Sequence, residues 1–134
     1  MTKEIYTTKQ ESEILKIISG WCESRLTFET CGFIGQKDDL YTAMICENKS
    51  SDPANFFSID PLEYLFFMED YNPVALFHSH IQGDENPSEQ DIMMSENSCL
   101  PFFIYSLNTK KFHFYIPKKV KVDVSILEKF KSAQ

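Results

Sequence analysis

The chain has 134 residues, 43% of them hydrophobic and 25% charged, which are the proportions of a globular domain able to build a core without disulfide or metal staples. Its formal net charge of −7 argues against a nucleic-acid partner, whose phosphates require clustered Lys and Arg, and the only basic run, Lys118, Lys119 and Lys121, is too short to reverse that. No apolar run approaches bilayer length and the first residues carry no apolar signal region, so the expected location is the cytoplasm, or a particle such as a phage assembled there, with no membrane partner.

Residues 10 to 25 place Ile14, Ile17, Ile18, Trp21 and Cys22 at helical spacing, with Glu11, Glu13, Lys16, Ser19 and Glu23 opposite. This predicts an amphipathic helix packed on a sheet, with Trp21 as a core anchor. Glu29 to Gly35 then reads as a short apolar strand around Cys31, Phe33 and Ile34, and a turn at Lys37 to Asp39 joins it to a second strand, Leu40 to Cys46. Glu29 stands at the mouth of that hairpin, where a solvated strand-end carboxylate is the ordinary reading. The four cysteines, Cys22, Cys31, Cys46 and Cys99, form no Cys-x-x-Cys pair and are expected to be reduced thiols. Cys31 lies near a candidate site and is open to a nucleophilic role, but its apolar neighbours favour a buried structural residue.

Asn48 to Asn55 reads as a polar, mobile loop, followed by a brief strand at Phe56 to Ile59. Asp60 as N-cap, Pro61 at the first position and Glu63 at the third predict a helix running through Met68 and ending before Pro73. That helix is apolar on more than one face, so it is either sandwiched in the fold or part of it faces a partner. A buried strand from Val74 to His80 and a helix from Ser88 to about Asn97 come next. A second hairpin, Pro101 to Leu107 and Lys111 to Ile116, precedes a tail, 118 to 134, that reads as an extended piece and then one or two helical turns. His113, between Phe112 and Phe114, faces away from them and is expected on the surface. The whole is one α/β domain over 1–134, its core at about 10–117, with helices against a curved mixed sheet.

The chemistry concentrates between Val74 and Asp91. His78 and His80, spaced i and i+2 at a strand end, share one face, and Ser88 N-caps a helix whose third residue is Asp91. Two imidazoles and a carboxylate with a fourth position free is how catalytic zinc is held. Each half also has an ordinary structural explanation, as a strand turning into a loop and as a capping box, although capping boxes favour Glu or Gln where Asp91 stands.

Glu29, Cys31 and Gly32 early in the chain, then His78, Ser79 and His80, ten intervening residues, and Asp91 with Ser88 three before it, resemble the signature of the JAMM (MPN-domain) zinc metallopeptidases. The likeness spans about residues 10 to 117 and departs at Ile81, where the family commonly has proline. Within the family, the stretches Phe57 to Tyr64, Asn86 to Asp91 and Cys99 to Ile104 resemble the short prokaryotic forms. These are phage tail-assembly peptidases and stand-alone bacterial enzymes that act on ubiquitin-like proteins.

The resemblance implies an MPN/JAMM fold, a cytidine-deaminase-like arrangement of sheet and helices. It implies one zinc ion held by His78, His80 and Asp91 with a catalytic water, Glu29 as general base and Ser88 as oxyanion donor. It further implies cleavage of a peptide or isopeptide bond at an extended C-terminal tail. Tail-assembly members often carry a second, cysteine-peptidase domain for which this sequence has no room, which favours a ubiquitin-like protein as partner over a phage tail protein. A non-catalytic MPN scaffold is disfavoured because no functional position is lost. A zinc deaminase is disfavoured because the His-x-Glu and Pro-Cys-x-x-Cys of that class are absent.

Overall fold

A computed structural model describes residues 4–134, and its elements alternate in β1 (Ile5–Thr8), α1 (Glu11–Glu23), β2 (Cys31–Lys37), β3 (Leu40–Cys46), α2 (Pro61–Asp70), β4 (Asn72–His80), α3 (Glu89–Ser98), β5 (Phe102–Ser106), β6 (Phe112–Tyr115) and α4 (Val124–Ser132). The strands form one sheet in the order β1-β3-β2-β4-β5-β6. Its pairs are antiparallel except β4 with β5. A parallel pair needs a crossover, and α3 supplies it, so the helix start is carried back over the end of β4.

Period-two alternation divides the core. Ala75 and Phe77 of β4 point to one face, where they meet Ile34, Phe103, Ile14, Leu15, Ile18 and Cys22 of α1, and Leu127 and Phe130 of α4. Leu76 points to the other, with Cys31, Phe33, Met44, Phe57, Phe102, Ile104 and Phe67 of α2. His78 belongs to this second face and stacks on Phe57 with ring centroids 4.4 Å apart. Trp21 is a core anchor as expected, stacked 6.0 Å from Phe77.

Local chemistry accounts for the elements. Asp38 and Asp39 both have positive φ, 52° and 66°, closing the β2–β3 hairpin with a two-residue turn of the hand that matches strand twist. Asp60 caps α2 by accepting from the Leu62 N–H at 3.0 Å, with Pro61 at the first helical position. Gly32 is required by close approach: a Cβ there would stand 2.1 Å from the Met44 carbonyl oxygen and 2.5 Å from the Phe77 ring.

Four expectations are corrected. Ile5 to Thr8 is an edge strand the sequence did not announce. Phe56 to Ile59 is not a strand, because Asn48 accepts from the Ser58 N–H and donates to the Phe56 carbonyl, groups that a sheet partner would otherwise use. The Asn48 to Asn55 loop is tied down by these same bonds rather than loose. The tail helix is somewhat longer than the one or two turns expected, running nine residues from an Asp123 cap.

Candidate metal centre

Strand register brings the site together. Cys31 is the cross-strand partner of His78, so continuing the antiparallel register pairs position 30 with 79 and position 29 with 80. Hydrogen bonds bear this out one step beyond the ladder. The Ser79 N–H donates to the Thr30 carbonyl at 2.9 Å, and the Thr30 N–H donates to Ser79 Oγ at 2.8 Å. Ser79, fully buried on the face opposite the histidines, thus binds the segment carrying Glu29 to the strand carrying His78 and His80. Glu29 and His80 in turn line one cavity of about 310 Å³, together with Ser88, Asp91, Asp84, Met94 and the Ala54 to Phe57 wall.

The three metal-ligand candidates converge. One donor atom each from His78, His80 and Asp91 lies within 4.8 Å of the others. Asp91 reaches both imidazoles, with Oδ1 3.1 Å from His78 Nε2 and Oδ2 2.9 Å from His80 Nε2. Oδ2 also accepts from the Ser88 N–H at 3.0 Å, while Ser88 Oγ accepts from the Asp91 N–H at 3.1 Å. The capping box and the carboxylate's presentation to the histidines are therefore one structure, and the two readings of Ser88 and Asp91 do not compete.

Electrostatics fit a cation. Burial pushes His78 below its ordinary pKa, which favours the neutral imidazole that a metal requires. Although burial works against charge on His80, its bonds to Asp91 and to the Asp84 carbonyl raise its pKa on balance. For Asp91, burial would raise the carboxyl, but the closeness of the His78 and His80 rings, with the bond from His80 and that from the Ser88 N–H, holds it well below the usual carboxylate range. Burial also pushes Glu29, only 6% exposed, up to about 8, with the Asp91 and Asp52 charges adding to the effect and His80 opposing it.

The donor set passes a test for zinc. His78 is fully buried and neither ring nitrogen makes a hydrogen bond of good geometry, an unusual state for a buried imidazole and one that a metal bond at Nε2 would resolve. His80 Nδ1 lies 2.8 Å from the Asp84 carbonyl, which can only accept, so Nδ1 carries the hydrogen and Nε2 is the nitrogen available to a metal. Donors of a tetrahedral zinc site stand roughly 3.3 Å apart. The two imidazoles stand 3.1 and 2.9 Å from Asp91, each from a different carboxylate oxygen, and the three donors together lie within 4.8 Å, so the cluster is of a size that closing on one ion would complete.

Two alternatives fall away. The Cys31 thiol is fully buried and pushed up to about 12 by burial, the state of an inert core residue. His113 is half-buried on β6 opposite Ile104, outside the metal group and less open than expected. Ser79, Asp84 and Phe57 support the site without having been singled out in the sequence. Asp84 alone carried a signal, as the start of an Asx turn capped by the Asn86 N–H at 3.0 Å.

Comparison with known proteins identifies the family and the fold. The family described as prokaryotic homologs of the JAB domain matches residues 11–121. The tail tip assembly protein K of Escherichia phage N15 is 32% identical over 78 residues, which cover 58% of this chain and 32% of that protein, so the match spans about a third of the relative's length. The solution structure of protein DSY2949 from Desulfitobacterium hafniense superposes with a TM-score of 0.61 over 76% of this chain and 77% of that one, at 24% identity, and shows a shared fold. Among the described residues no helix is long and apolar enough to cross a membrane.

Proposed function

The chain belongs to the family of prokaryotic homologs of the JAB domain, and from that premise we propose that it is a zinc-dependent metallopeptidase that hydrolyses a peptide or isopeptide bond. The observation that carries the proposal is the fully buried His78, its ring nitrogens without a well-formed hydrogen bond, facing Asp91, which with His80 lines the cavity.

His78, His80 and Asp91 would hold the ion. Zinc so bound supplies a Lewis acid and lowers the pKa of a water at its open position to about 7. Glu29, buried at the wall of the same cavity, would take the proton from the attacking water and deliver it to the leaving amine. Ser88 uses its oxygen to accept from the Asp91 N–H, so its O–H is available to donate to the oxyanion, and loss of such a donor costs about 10²–10³ in rate. The Ala54 to Phe57 wall and Met94 bound the space where an extended segment enters.

Two substrate readings are supported by different observations. The likeness of the motif to stand-alone bacterial enzymes supports the C-terminal tail of a ubiquitin-like protein, by deconjugation or precursor processing. Similarity to a tail tip assembly protein favours trimming of a phage tail component, in a particle assembled in the cytoplasm. The test is cleavage by zinc-loaded protein of two substrates, a ubiquitin-like tail fused to a coumarin amide and a tail protein from the same phage or prophage. Turnover of one, abolished by chelation and restored by zinc, supports the reading and selects the substrate. No turnover of either by protein with full zinc would refute it.

We assign the partner contact to α2. Leu62, Leu65 and Phe66 are 59, 58 and 64% exposed there, whereas only Phe67 of the helix is buried. Replacing Leu65 and Phe66 together by Ser is expected to raise KM more than tenfold with kcat, zinc and fold preserved. An unchanged KM would remove α2 from the account.

A further inference from the structure

Glu29 lies outside β2, so neither of its peptide groups is fixed by the sheet ladder. Both are taken by the loop that follows β3. The Glu29 N–H donates to the Pro53 carbonyl at 2.7 Å, and its carbonyl accepts from Asn48 Nδ2 at 3.0 Å. The same Nδ2 reaches the Pro53 carbonyl at 3.3 Å and the Phe56 carbonyl at 3.0 Å. Asn48 Oδ1 accepts from the Ser50 and Ser58 N–H groups at 3.0 and 3.1 Å. One planar amide thus closes the loop through its oxygen and joins the loop to Glu29 through its nitrogen, while Ala54 to Phe57 of that loop form the cavity wall.

We propose that Asn48 is a positioning residue for the reaction: its Nδ2 sets the backbone of Glu29, and so the reach of the carboxylate, in register with the substrate wall. The proposal rests on the peptidase reading only for its kinetic consequence. The residue type follows from the chemistry. A side chain that donates to three carbonyls, two in its own loop and one at Glu29, and accepts from two N–H groups must be an amide, since a carboxylate of the same shape offers no donor and a hydroxyl offers one. His78, His80 and Asp91 belong to β4 and α3 and make no hydrogen bond to Asn48, so metal binding is separable from this role.

Asn48→Asp discriminates a positioning role from a loop-forming one. Aspartate forms the same turn through its oxygen and keeps the bonds from Ser50 and Ser58, but it turns a second oxygen toward three carbonyls. Asn48→Ala loses the same donor without adding charge near Glu29. The experiment uses zinc-loaded full chain, the coumarin amide reporter and ¹³C-labelled Glu. Both variants are expected to keep zinc, lose kcat about 10²-fold, and show a displaced Glu29 carboxyl resonance, identified by its absence in Glu29→Gln. Wild-type kcat and an unmoved resonance in Asn48→Asp would overturn the proposal. So would a loss in Asn48→Asp that is absent in Asn48→Ala, which would make the effect one of charge. If wild-type protein cleaves nothing, the peptidase reading fails, and the resonance alone still decides whether Asn48 sets Glu29.

Discussion

Glu29→Gln is expected to lower turnover at least 10³-fold while leaving zinc content and fold unchanged. Glutamine has the volume of glutamate and keeps the backbone bonds to Pro53 and Asn48, so the change removes only the capacity to accept and return a proton. Because Glu29 makes no hydrogen bond to His78, His80 or Asp91 and lies on the segment before β2, the metal ligands should not notice the change. Full activity in this variant would remove Glu29 from the mechanism.

The same substitution should stabilise the metal-free protein, with a definite pH dependence. Burial raises the folded-state pKa of Glu29 from 4.5 to about 8. Between these values the folded chain keeps a proton that the unfolded chain releases, so stability is fully present below the lower value and declines as pH rises through the window. Glutamine has no proton to lose. In the presence of chelator, the gain in Tm of the variant over wild type should be small at pH 5 and several-fold larger at pH 8. An equal gain at both pH values would mean that Glu29 is solvated and not a buried base.

The parts of this molecule that could be read in advance are those whose signal is local. His78 and His80 face the same way because a strand alternates, and Ser88 with Asp91 marks a helix start whatever the surroundings. Asp60 and Pro61 announced α2 for the same reason. What escaped was set by tertiary partners. Phe56 to Ile59 has the composition of a strand, but the Phe57 ring is used to cover His78 and its flanking backbone groups are taken by Asn48 and Lys49. β1 is a four-residue edge strand with Ile5 55% exposed, so it lacks the buried alternation by which strands are recognised. Ser79 looked like a spacer between two histidines. Its bonds to Thr30 depend on a strand 49 positions away in sequence, which no local pattern encodes.

The catalytic roles given to Glu29 and Ser88, and the kinetic consequence of Asn48, all depend on the nature of the three-residue cluster. His78 and His80 differ in what they stand to lose. His78 is sealed between Phe57 and Phe102, and its truncation would open the core, whereas His80 is at the cavity and its truncation leaves the aromatic packing in place. His80→Ala is therefore the cleaner variant. The decisive measurement is the zinc content of untagged protein, purified and remetallated, beside His80→Ala treated identically. The account predicts close to one zinc per chain in the wild type and a loss of at least 90% of it in a variant that still unfolds cooperatively. Absence of zinc from both after remetallation would contradict it, leaving a JAB-domain scaffold with an intact but idle set of ligands.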